Sequence, residues 1–186
     1  MSALSKRMPV EIFTTATRVT GVINTHHIHI RDELNDTRHS VLLFQEMQVS
    51  DLGDLRGTRI AGYDAWIDKA AILLAVPQRV KGHTWTLAQR TIQSRLGRNE
   101  HRLSIELTPW RVVGNFYFVG RFQVIDALRR DSAAFAPMSN AEVTFMPDSS
   151  ISFVVDELAF NVKQVKMLCS QFTLESPPPG HTLAHR

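Results

Sequence analysis

The feature that most constrains this chain is a stretch that occurs twice. Arg18-Val19-Thr20-Gly21 is followed by Ile28-His29-Ile30-Arg31-Asp32-Glu33-Leu34. Arg111-Val112-Val113-Gly114 is followed by Phe122-Gln123-Val124-Ile125-Asp126-Ala127-Leu128. The register extends on both sides: Val10 pairs with Leu103, Ile12 with Ile105, Gly21 with Gly114, Asp32 with Asp126, Val49 with Val143, Trp66 with Phe160 and Lys69 with Lys163. Coinciding apolar periods, with Gly, Asp and Lys at matching turns, predict an internal duplication.

Each half alternates apolar and polar residues in short runs, as half-buried strands do. Val10-Glu11-Ile12 and Leu103-Ser104-Ile105-Glu106-Leu107 are the clearest cases. Gly21 and Gly114 fall inside such runs, where glycine marks a bulge or bend. Five short strands per half, with no long helix, predict a mainly β chain. The expected form is two tandem Sm/SH3-like five-stranded small β-barrels joined by a basic, partly helical connector. The expected boundaries are 9–77 for the first barrel, 78–102 for the connector, 103–174 for the second barrel and 175–186 for a disordered tail. Met1 to Met8 reads as a loose tail as well.

Each half resembles an Sm-like small β-barrel of a bacterial family of unknown function. The resemblance rests on a strand ending in glycine, a Leu34-Asn35-Asp36 turn, and the run Ala65-Trp66-Ile67-Asp68-Lys69-Ala70-Ala71-Ile72 that closes at Pro77. The second half carries Arg129-Arg130 in place of Asn35-Asp36, and Lys166 in place of Ile72. The resemblance implies a fold and no activity.

Composition sets the function classes. The 44% apolar fraction suffices for a core, which excludes wholesale disorder. With 21 Lys+Arg against 18 Asp+Glu, the net charge of +3 permits an anionic partner without requiring one. The single cysteine, Cys169, cannot form an intrachain disulfide, and its neighbours Met167, Leu168 and Phe172 suggest a buried thiol. The longest apolar run, Ala70 to Val76, is far shorter than a membrane span, so the expectation is a cytoplasmic protein.

Chemistry-bearing constellations are sparse. His27 and His29, beside His26, would share a face if they lay on a strand, with Asp32 as a further ligand for an ion. The matching Gly120, Arg121 and Gln123 carry no ligands, which argues for a polar strand face and no metal. Neither a nucleophile elbow nor a phosphate loop occurs. Asp32 and Asp126 suit turn-capping roles, and Lys69 and Lys163 suit exposed positions in the last hairpin. The connector holds Lys81, Trp85, Arg90, Arg95, Arg98 and Arg102, a combination that can meet phosphates and stack a base.

The sequence thus predicts a non-enzymatic interaction or assembly module without a cofactor, a pseudo-dimeric scaffold pairing with a protein partner or with itself. The alternative is RNA or single-stranded nucleic-acid binding through the connector. Trp66, Trp110, Phe116 and Phe118 are expected mostly in the core.

Overall fold

A computed structural model describes residues 5–53, 57, 59–78, 99–118, 126, 128 and 133–170. The first half contains β1 (Lys6–Phe13), β2 (Thr17–Thr25), α1 (Ile30–Asn35), β3 (Val41–Asp51), β4 (Ile60–Asp68) and β5 (Leu74–Pro77). The second contains β6 (Asn99–Leu107), β7 (Trp110–Phe118), β8 (Phe135–Phe145), β9 (Ser152–Asn161) and β10 (Met167–Ser170). A 3₁₀ turn precedes each last strand, Lys69–Ala71 and Val162–Gln164. The chain is mainly β, as expected.

These strands form one continuous ten-stranded sheet, ordered β10-β6-β7-β8-β9-β5-β1-β2-β3-β4, with every pair antiparallel. Two separately closed tubes were expected. Among the described residues β4 pairs only with β3, and β5 pairs with β1 and β9, so the sheet is open at both ends. Each half nevertheless has the same internal order: its fifth strand, then its first to fourth.

Local patterning explains the strands. On β7, Trp110, Val112, Phe116 and Phe118 are buried and alternate with less buried neighbours, so one face packs inward. On β6, Leu103, Ile105 and Leu107 do the same. Gly21 sits opposite Val10, and Gly114 opposite Leu103, on the second strand of each half. The pairing of that strand with the third shifts register beside each glycine, the bend of a β-bulge.

The alternation breaks at the joint between the halves. Leu74 to Val76 on β5 and Leu158 to Asn161 on β9 are buried without interruption. Both strands are covered on two faces, the usual cause of a continuous apolar run. Their register pairs are Leu74 with Phe160 and Ala75 with Ala159. Leu74 and Phe160 enter the core built mainly from the second half, while Ala75 and Ala159 enter the core built mainly from the first. The joint is therefore a wall shared by two interiors.

Several boundaries differ from expectation. Strand β1 starts at Lys6 and includes Met8, and β6 starts at Asn99, so Arg102 belongs to a strand and not to the connector. Residues 79–98 and 171–186, holding the rest of the connector and the tail, lie outside the described residues, as do Arg121, Arg129 and Arg130. The repeat register also slips late in the chain. Val49 faces Ile60, while its counterpart Val143 faces Phe153, so the second hairpin is one residue shorter. The one-residue slip moves every later side chain to the opposite face. By hydrogen-bond position Trp66 corresponds to Ala159, Asp68 to Asn161 and Leu74 to Met167.

Candidate edge interface

The joint between the halves is held by side chains as well as by strand pairing. Asn161 N–H donates to the Leu73 carbonyl at 2.9 Å, and its side-chain Nδ2 donates to the Ile72 carbonyl at 3.0 Å. The same side chain's Oδ1 accepts from Lys163 N–H at 3.1 Å, capping the 3₁₀ turn. Asn35, at the end of α1, makes two bonds to Phe135: Nδ2 donates to its carbonyl at 2.8 Å and Oδ1 accepts from its N–H at 2.9 Å. A side-chain amide thus stands in for a strand partner. Helix α1 packs across the joint on β5, β8 and β9.

Phe13 crosses the joint from the first half. Its ring centroid lies 4.9 Å from Trp110, edge-on, and 5.2 Å from Phe153, stacked. Trp110 Nε1 donates to the Thr14 carbonyl at 3.3 Å. His29 Nδ1 lies 3.6 Å from Glu157 Oε1, again across the joint. The Glu157 carboxylate raises the His29 pKa above its ordinary 6.5, against burial, with a smaller upward pull from Asp32 and an opposing one from Arg31. The sign follows: this pair's stabilisation is fully present below pH 6.5 and is lost as pH rises through the raised folded value. Unfolding free energies measured across that window should therefore fall with pH more in the wild type than in His29→Gln. Parallel slopes in the two proteins would remove the pair's role.

The histidine cluster does not assemble a metal site on a strand. Residues 26–29 turn from β2 into α1, and the histidines diverge. His27 Nε2 lies 3.3 Å from Asp36 Oδ2, while His29 turns to Glu157. Among the described residues no group of three His, Cys, Asp or Glu side chains is placed to hold a metal ion. Arg38 pairs with Asp36 through side chain and backbone N–H, holding that carboxyl well below the usual range. Asp32 lies inside α1 and accepts from Arg31 at 2.7 Å. Asp126 is helical and exposed.

Lys69 and Cys169 overturn their expectations. Lys69 was expected exposed but is buried, because its Nζ donates to the Glu33 carbonyl at 2.7 Å and the Asp36 carbonyl at 2.9 Å. It caps the C-terminus of α1, supplying donors to carbonyls that a helix end leaves unsatisfied. Burial lowers its pKa, while Glu33 and Asp36 pull it back up. Lys163 is exposed, as expected. Cys169 was expected buried but is exposed, because β10 is an edge strand.

Among the described residues the β4 side of the sheet carries most of the exposed large apolar side chains, and β10 carries one. On β4, Ile60, Tyr63 and Trp66 are 49%, 82% and 65% exposed, and Leu43, opposite Trp66 on β3, is 62% exposed. Met167 on β10 is 47% exposed; Ile28 and Val154 lie elsewhere. Trp110, Phe116 and Phe118 are core, so Trp66 is the exception among the four aromatic residues expected there. A shallow cleft on the β4 side is lined by Asn24, Leu43, Phe44, Gln45, Asp64 and Ala65. Asp64 there has φ 53°, a left-handed conformation that Asp tolerates better than most residues.

Of the residues expected to meet nucleic acid, Arg102 is exposed on β6 with Nη1 3.4 Å from Asn115 Oδ1. Lys81, Trp85, Arg90, Arg95 and Arg98 lie outside the described residues. The joint residues Asn35, Asn161 and Phe13 had no functional role from sequence. The only signal was the change from Asn35-Asp36 to Arg129-Arg130 between halves. No protein-family model, curated protein or solved structure matches the chain. No described helix is long and apolar enough to cross a membrane.

Proposed function

We propose that the chain is a non-enzymatic assembly module: two Sm-like small barrels, opened and fused by internal duplication, that pair with further protein strands at their free edges. The partner is first of all a second copy of the chain, joined head to tail. One observation carries this reading. Inside the chain, the fourth strand of one half (β9) pairs with the fifth strand of the other (β5), and the strands left open among the described residues are again a fourth, β4, and a fifth, β10. Open edges present unpaired N–H and C=O groups that seek a ladder. The exposed Ile60, Tyr63 and Trp66 on β4, with Met167 on β10, add area that water disfavours. A joint of unlike edges repeats from copy to copy, closing into a ring or running on as a filament according to the rotation at each step.

Transferring the inner register outward places Ile67 opposite Met167 and Trp66 opposite Leu168 of the next copy. The next residues along are Ala65 and Cys169. Directly opposed residues on antiparallel strands lie about 4.5–5.5 Å apart, within reach of a disulfide. The Ala65→Cys protein, mildly oxidised, should therefore form chain-to-chain disulfides between the introduced thiol and Cys169, identified by peptide mass spectrometry. Links joining two introduced thiols would reverse the orientation. A protein that stays a single chain by mass at all concentrations would end the reading.

A further inference from the structure

The inner and outer joints differ at one position, and the difference predicts how the outer one is controlled. At the inner joint Asn161 is buried, caps the 3₁₀ turn through Oδ1 and gives its Nδ2–H to the Ile72 carbonyl at 3.0 Å. At the open edge the same place belongs to Asp68, whose Oδ1 caps its own 3₁₀ turn by accepting from Ala70 N–H at 2.9 Å. The cap is preserved, but a carboxylate has no N–H to give. The facing strand changes too. Leu73 N–H donates to the Phe13 carbonyl at 2.9 Å, and Lys166 N–H donates to the Glu106 carbonyl at 2.8 Å, so Lys166 occupies Leu73's place and Val165 that of Ile72. In the transferred register Asp68 meets the carbonyl of Val165 without a donor and the ammonium of Lys166 alongside.

We propose that an ion pair between Asp68 of one copy and Lys166 of the next sets the outer joint, replacing the amide-to-carbonyl bond of the inner one. This rests on the head-to-tail reading above. At this position the inner joint is held by a neutral amide-to-carbonyl bond within one chain, which salt does not screen. The outer joint is reversible, because opposed charges at an edge open to water are screened by ions. Lys166 is exposed on the single chain, so its ammonium is available to the neighbour.

The test is sedimentation of the full chain, alone, at about 50 mM and about 500 mM salt, conditions that shorten the screening length several-fold. Wild-type assembly should weaken at the higher salt. Asp68→Lys and Lys166→Asp each place like charges together and should weaken association about tenfold or more. The Asp68→Lys/Lys166→Asp double variant should recover most of that loss. Asp68→Asn keeps the turn cap and regains a donor for Val165, so it should assemble irrespective of salt; it also serves as the variant least disturbing to folding. A double variant no better than either single one, or an Asp68→Asn protein with wild-type salt dependence, overturns the ion pair. If the disulfide to Cys169 forms while the charge exchange fails, the head-to-tail reading stands and only the ion pair falls. If that disulfide never forms, both fall.

Discussion

Gly21→Ala should cost the protein about 3 kcal/mol or more, at or beyond the upper end of the usual overpacking penalty. A Cβ at this position would lie 2.1 Å from the Glu46 carbonyl oxygen and 2.7 Å from Phe44 Cδ1. The nearer obstacle is backbone, and Phe44 is fully packed, so relief requires β2 and β3 to separate where their register already shifts. Gly114→Ala is the control. There the nearest atoms are Met138 Cγ at 2.7 Å and Sδ at 2.8 Å, on an unbranched side chain and not on backbone, with Ala141 Cβ at 3.0 Å. The expected cost is about 1–2 kcal/mol, lessened by the entropy that alanine saves over glycine. Urea unfolding followed by tryptophan fluorescence compares the two. Equal losses, or a larger loss at Gly114, would contradict the backbone clash.

The second large effect is expected at Trp110. It is fully buried, touches Phe13, Phe145 and Phe153, and donates its indole N–H across the joint. Trp110→Ala should destabilise by about 3–5 kcal/mol, the range for large-to-small aromatic truncation in a core. Against a total of about 5–15 kcal/mol for a typical domain, that is a large share. Trp110→Phe keeps most of the volume and loses the bond to Thr14, so it should cost clearly less. Trp66→Ala, at a residue 65% exposed, should change the stability of the single chain by less than about 0.5 kcal/mol. Thermal unfolding at low protein concentration separates these cases. Comparable losses at Trp66 and Trp110 would mean that β4 is covered in solution.

The contrast between these tryptophans shows which features were legible in the residues and which were not. Strands β6 and β7 were legible because Leu103, Ile105 and Leu107, and then Val112, Phe116 and Phe118, keep a period of two that burial follows. Gly21 and Gly114 were legible because a glycine breaks an otherwise apolar run at a bend. The joint was not, because Leu74-Ala75-Val76 has no period and its partner β9 is remote in sequence. Lys69 was read as exposed from its place in the last hairpin. Its burial depends on carbonyls of α1, from a different part of the chain. Cys169 was read as buried from its apolar neighbours, and that pattern cannot distinguish a central strand from an edge. Trp66 was paired with Phe160 by an ungapped repeat register, which fails because the hairpin after β8 is one residue shorter, a change invisible until the strands are laid side by side.

The alternation of side chains at the joint bears on descent as well as on stability. Leu74 and Phe160 serve one interior, and Ala75 and Ala159 serve the other. A substitution along this partition is felt by both halves of the molecule at once, so the two are bound to drift in concert. Splitting the gene at the midpoint would hand each product an interior with one side missing.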